Sequence, residues 1–222
     1  MENTTIAPSI RRALACTVLS LGLQPLAGWA EDVLAPRPEF VKGERWVYQK
    51  TDLWTDNVQD KYEDVFAEVL DNKLVFRGKS LIQDKKPWTL YFSRDLQPCR
   101  SLSGESEEIC AGILKFPLRS IGERWGFNKL PWSNGKGYYE ADCELTAQEK
   151  IRVPAGEYDT LRIACKGRWQ RTVDGNSNGR YEETLWYAPA VKRHVRIDYN
   201  DWTAGNRLDT RIRTELVEVQ LK

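Results

Sequence analysis

His194 is the only histidine in a chain of 222 residues, and 33 Lys+Arg are almost cancelled by 32 Asp+Glu. A net charge of +1 gives no long-range field to draw in nucleic acid or an anionic membrane surface. One imidazole also closes most routes to a zinc site, and no C-x-x-C pair is present to open another. The sequence has no G-x-S-x-G elbow, no H-E-x-x-H helix and no phosphate-cradling glycine loop. It has no apolar run near the roughly 20 residues that cross a bilayer, no sustained 3.6-residue apolar stripe, no repeat and no low-complexity tract.

The first thirty residues carry an address. Arg11-Arg12 precede an eleven-residue stretch, residues 13–23, interrupted only by Thr17 and Ser20. Gln24-Pro25 break it, and Gly28-Trp29-Ala30 puts small residues where a signal peptidase reads. Residues 1–30 are therefore expected to be a cleaved secretory signal and residues 31–222 a single β-rich domain in the periplasm. Ala13-Leu14-Ala15 is a poor continuation for a twin-arginine signal. Cys16 comes too early to be a lipoprotein cysteine and falls in the discarded segment. Losing Glu2, Arg11 and Arg12 leaves a mature chain with 31 charges of each sign.

Export decides how the remaining cysteines are read. Cys99, Cys110, Cys143 and Cys165 are an even set in a compartment that permits disulfides. Cys143 and Cys165 lie eleven residues either side of Pro154, so a hairpin turning at Pro154-Ala155-Gly156 brings them face to face. Cys99 and Cys110 bracket the polar tip at residues 101–108. The expected bridges are 99–110 and 143–165, each stabilising the fold by roughly 2–4 kcal/mol through restriction of the unfolded chain.

Apolar and polar residues alternate with period two over most of the mature chain, the pattern of half-buried strands. Val65-Phe66-Ala67-Glu68-Val69, Trp88-Thr89-Leu90-Tyr91-Phe92 and Leu161-Arg162-Ile163-Ala164-Cys165 are examples, as are His194-Val195-Arg196-Ile197-Asp198-Tyr199 and Glu215-Leu216-Val217-Glu218-Val219. Turn signals separate them, among them Asp71-Asn72, Ser133-Asn134-Gly135 and Ala204-Gly205-Asn206. The prediction is an all-β fold of ten or eleven strands with mainly short connections, an antiparallel meander forming a curved sheet, open barrel or sandwich.

Three constellations bear on chemistry. Asp174-Gly175-Asn176-Ser177-Asn178-Gly179 resembles the first half of an EF-hand calcium loop, with Asp174, Asn176 and Asn178 as ligands. Position twelve is Leu185, however, and two of the three early ligands are neutral, so a hairpin turn accounts for the pattern better. Calcium is the one cofactor the sequence raises, as the ion of a structural module. His194 sits inside a predicted strand beside Arg193 and Arg196, where it reads as a strand residue rather than a catalytic one. Carboxylates such as Glu105, Glu107, Glu108, Glu140, Asp142 and Glu144 are abundant, which keeps an envelope hydrolase built on an acid pair as an alternative.

Tryptophan is in excess. Eight remain after residue 30: Trp46, Trp54, Trp88, Trp125, Trp132, Trp169, Trp186 and Trp202. Large amphipathic rings fill thin β-domains, and they also line ligand sites. Trp125, Trp132, Trp169, Trp186 and Tyr187 are the candidate binding residues, chosen for aromatic density.

Phe116-Pro117-Leu118, Gly122-Glu123-Arg124-Trp125, Val153-Pro154-Ala155-Gly156-Glu157-Tyr158 and Trp186-Tyr187-Ala188-Pro189 occur in that order. Over roughly residues 110–222 this resembles the TapB-like exported bacterial β-domains, a family of unknown function. The resemblance implies a β-rich fold in a Gram-negative envelope and carries over no catalytic residue. Composition, pattern and resemblance together lead to a monomeric, non-enzymatic binding domain. Its expected partner is a lipid or other amphipathic ligand, or an envelope protein.

Overall fold

The turn at Pro154-Ala155 organises the longest hairpin of the molecule. In this computed structural model, which describes Met1, residues 33–173 and residues 177–222, strand β8 (Gly137–Val153) runs into β9 (Gly156–Arg171) with Val153 opposite Gly156. Proline fixes its own φ at the corner, and Gly156 takes φ +137°, which side chains disfavour. β9 is far longer than the period-two window at residues 161–165 that announces it, and β8 is announced only as the other arm of the hairpin turning at Pro154. The expected cleavage junction after Ala30 lies outside the described residues, as do Asp174 and Asn176.

The other strands are β1 (Arg45–Asp52), β2 (Val58–Leu70), β3 (Lys73–Ser80), β4 (Trp88–Phe92), β5 (Cys99–Arg100), β6 (Ile109–Cys110), β7 (Arg124–Pro131), β10 (Asn178–Ala188), β11 (Arg193–Thr203) and β12 (Leu208–Gln220). Ten of the twelve form one antiparallel sheet in the order β4-β3-β2-β1-β12-β11-β10-β9-β8-β7. It consists of two meanders joined where β1 pairs with β12. The sheet is not closed into a barrel: β4 and β7 are its edges. The only helical turn among the described residues is the 3-10 turn Pro189–Val191, where proline ends β10.

One departure from the expected short connections matters. Residues 93–123 run from edge strand β4 to edge strand β7 and hold the small β5–β6 hairpin. This strap lies over the inner face of the sheet. Leu96, Leu102, Ala111, Leu114, Phe116 and Leu118 on it are buried, and Leu118 pairs with Ala35. Phe116 meets Tyr187 edge-on at 5.1 Å, and the Trp125 indole donates to the Ile113 carbonyl at 3.0 Å. A sheet of ten strands needs its apolar face covered, and here the chain between its two edges does it.

The core has two parts. On the β1–β4 side, Phe40, Trp46, Phe66, Phe76 and Phe92 form a cluster of rings with centroids 5.3–5.9 Å apart. On the other side Leu145, Ile163, Leu185 and Tyr187 pack under the strap. Both expected disulfides are present. Cys143 and Cys165 are direct cross-strand partners in the core, with Cα atoms 4.1 Å apart. Cys99 and Cys110 pair across β5 and β6, Cα atoms 4.0 Å apart, with Cys110 exposed.

Candidate functional site

Alternation along β10 and β11 sends Tyr181, Glu183 and Leu185, and Ile197, Tyr199 and Asp201, to the same inner face. Ile212 and Thr214 of β12 and Tyr139 of β8 continue it sideways. Opposite stand Leu96, Pro98, Arg100, Ile113 and Leu114 of the strap. Between sheet and strap lies a cavity of about 550 Å³. Its size is within the roughly 300–1,000 Å³ of small-molecule sites, and its walls are mainly apolar with a few polar groups, as in such sites.

The aromatic wall is continuous. Tyr139 meets Tyr181 edge-on at 5.1 Å, and Tyr181 stacks on Tyr199 at 5.7 Å. Trp132 extends it, 5.8 Å from Tyr139 and 6.2 Å from Trp169. These two indoles lie flat over glycines. A Cβ on Gly137 would come within 2.8 Å of the Trp132 ring, and one on Gly179 within 2.5 Å of the Trp169 ring. Both indole N–H groups are buried and have no hydrogen-bond partner.

The polar groups are few and uneven. The Glu183 carboxyl makes no hydrogen bond or ion pair among the described residues, and burial pushes it up to about 7 against the pull of Arg100. Arg100 donates once, from Nη1 to the Pro131 carbonyl at 3.2 Å, and has no ion pair among the described residues. Burial lowers its affinity for the proton, but a guanidinium stays charged. Tyr199 donates to Asp201 Oδ2 at 3.2 Å, and burial raises the Asp201 carboxyl.

At the β1 side, His194 stacks on Tyr48 at 4.5 Å, and burial, helped by the Arg193 charge, keeps its imidazole neutral. Arg193 is neutralised by Asp64 at 3.1 Å. It sits over the Phe76 ring at 4.5 Å, both partners nearly fully buried. His194 is thus a strand residue, as its sequence context indicates, although it also lines the cavity.

The five candidate aromatics do not converge as a group. Trp132 and Trp169 come together at the β8–β9 end of the wall. Trp125 is tied to the strap through Ile113, and Tyr187 is buried in the core against Phe116. Trp186 faces the other side of the sheet, where its indole donates to Glu149 Oε1 at 2.9 Å beneath Arg196. Of the calcium candidates only Asn178 is described; it opens β10 opposite Gln170.

The abundant acids singled out in the sequence lie elsewhere. Glu108 pairs with Lys73 and Glu144 with Arg124. The acids of the cavity, Glu183 and Asp201, are not among them, and the sequence raises Glu183 only as a substitute for the missing last acid of the calcium loop. Their signal was an acid at an inward position of a period-two strand, between Tyr181 and Leu185 and after Tyr199.

No family model matches the chain, and no curated protein matches it. Two solved structures resemble it. A presumed exported protein with a YmcC-like fold from Bacteroides fragilis aligns with 84% of this chain and 99% of its own, at 10% identity and a TM-score of 0.50. A presumed lipoprotein from Parabacteroides distasonis aligns with 84% and 97%, at 15% identity and a TM-score of 0.49. At such identities the likeness is one of fold, and the YmcC-like fold of the first is what it describes. Among the described residues no helix is long and apolar enough to cross a membrane.

Proposed function

We propose that this chain is an exported, periplasmic binding domain that holds an apolar or amphipathic molecule between its sheet and its strap. The observation that carries this reading is the cavity of about 550 Å³, walled by aliphatic and tyrosine side chains, with an unpaired acid and an unpaired guanidinium on its lining. A domain that merely filled its core would not leave such a space. Export is supported by the arrangement of residues 1–30, by two disulfides that a reducing cytosol disfavours, and by the TapB-like motifs.

Native mass spectrometry of protein secreted into a bacterial periplasm tests this. The expected result is a bound small molecule that leaves on denaturation. The denatured chain should then begin at Glu31 and lack the four hydrogens of two disulfides. A chain that stays bare, and takes up no hydrophobic probe when offered one, would overturn the binding reading. A retained N-terminus would overturn cleavage after Ala30.

A further inference from the structure

The lining of the cavity says more about its occupant than that it is apolar. Three cations reach the lining: Lys50, Arg100 and Arg193. Arg193 is paired with Asp64, but Lys50 and Arg100 have no ion pair among the described residues. Burying a guanidinium with a single hydrogen bond, to Pro131, leaves most of its donors unused and its charge uncompensated. The acid nearest in electrostatic terms is Glu183. The groups around it are Arg100 of β5, Tyr139 of β8, Tyr181 of its own strand, and Tyr199 and Asp201 of β11. Every tyrosine among these is held in its phenol form by burial, and Asp201 accepts from Tyr199 through Oδ2 while its buried Oδ1 has no partner among the described residues. The site therefore lacks an anion beside Arg100, and the groups facing that place are donors: the guanidinium and, in its acid form, Glu183.

Resting on the binding reading above, we propose that the occupant is a single-chain amphiphile with a carboxylate head. The head lies against Arg100 and shares a proton with Glu183, and the chain runs along Ile113, Leu114, Leu185 and Ile197. Arg100 supplies the charge and Glu183 the hydrogen bond, so a hydroxyl head gains less and an ammonium head is repelled by the guanidinium. No bond is made or broken: the head enters as the carboxylate and leaves as it came.

The test uses the folded, disulfide-bonded protein, stripped of bound lipid, with three twelve-carbon probes: dodecanoate, dodecanol and dodecylamine. Calorimetry at pH 6.5 should give dodecanoate roughly a tenfold or greater advantage over the other two, the worth of one hydrogen bond to a charged group. Arg100→Gln should abolish that advantage while still binding dodecanol, which shows that the variant is folded. Raising the pH to 8.5 should weaken dodecanoate binding in the natural protein, where Glu183 becomes a second negative charge. Glu183→Gln, which stays neutral and keeps a donor, should remove that loss. Equal binding of acid and alcohol, or a preference for the amine, would overturn this inference and leave the cavity reading standing. Binding of none of the three would overturn both.

Discussion

Replacing Glu183 by glutamine isolates the cost of an acid placed in an apolar cavity. In the unfolded chain a glutamate titrates near 4.5, whereas in the fold this one is raised to about 7. Below the lower value both states are protonated, and the residue contributes nothing to the pH dependence. As pH rises through the window the unfolded chain ionises freely while the folded one resists, so stability is lost. Above the upper value the loss is complete, at most about 3.5 kcal/mol, taking about 1.4 kcal/mol for each factor of ten in proton affinity.

His194 acts with the opposite sign. Its imidazole is kept neutral in the fold, so stability falls as pH drops below about 6.5, where the unfolded chain takes up a proton. Between roughly 4.5 and 6.5 the two effects oppose each other, and the natural protein's curve alone is ambiguous. The difference between the natural protein and Glu183→Gln cancels the histidine. Urea unfolding followed by tryptophan fluorescence should show the two nearly equal at pH 4.5. At pH 8 the variant should be the more stable by about 2–3 kcal/mol. A difference that does not change with pH would refute the reasoning, because the carboxyl would then not be held in an environment that disfavours its charge.

Two other perturbations follow from the packing. The disulfides differ in access, so a mild dithiol reductant should open Cys99–Cys110, with its exposed Cys110, before the buried Cys143–Cys165; alkylation and mass mapping read the order directly, and simultaneous opening would contradict it. Asp64→Ala should cost about 3–5 kcal/mol by stranding Arg193 among aromatic rings, whereas Asp64→Leu combined with Arg193→Met should restore most of that loss in the same urea titration.

The period-two windows were enough to place most strands, because each strand has one face in the core and one in water. They were short at the ends, since β9 continues past residues 161–165 in both directions through positions that are mostly exposed or half-exposed. The pairing of Cys143 with Cys165 was reached by symmetry about Pro154, but the turn is centred between Pro154 and Ala155. Ten residues separate Cys143 from Val153 and nine separate Gly156 from Cys165. A bulge at Thr146 supplies the missing step, its hydroxyl donating to the Arg162 carbonyl at 3.0 Å. Without it, cysteine would face lysine or glutamate.

The strap was not legible. Its conformation comes from distant partners, Ala35 for Leu118, Trp125 for Ile113 and Tyr187 for Phe116, and no local periodicity encodes contacts of that kind. The candidate site suffered for the same reason. Aromatic density pointed to tryptophans, of which Trp132 and Trp169 extend the cavity's aromatic wall, while the cavity itself is made by tyrosines facing a segment read as turn and loop. Arg100 lies on a strand of two residues, too short to show which way a side chain points.

The joining of β1 to β12 has a consequence for how the molecule is assembled in time. Every other neighbouring pair in the large sheet consists of strands consecutive in the sequence, which can meet as soon as both exist. Arg45 and Glu218, bonded across this central seam, stand 173 residues apart. A chain made from its N-terminus therefore carries β1 as an open edge, with Trp46, Val47 and Tyr48 unburied, until nearly the last residue has been added. The two half-sheets can nucleate independently, but the seam is a late, high-contact-order event, and its rate sets the time during which that edge is available to a chaperone or to another copy of the chain.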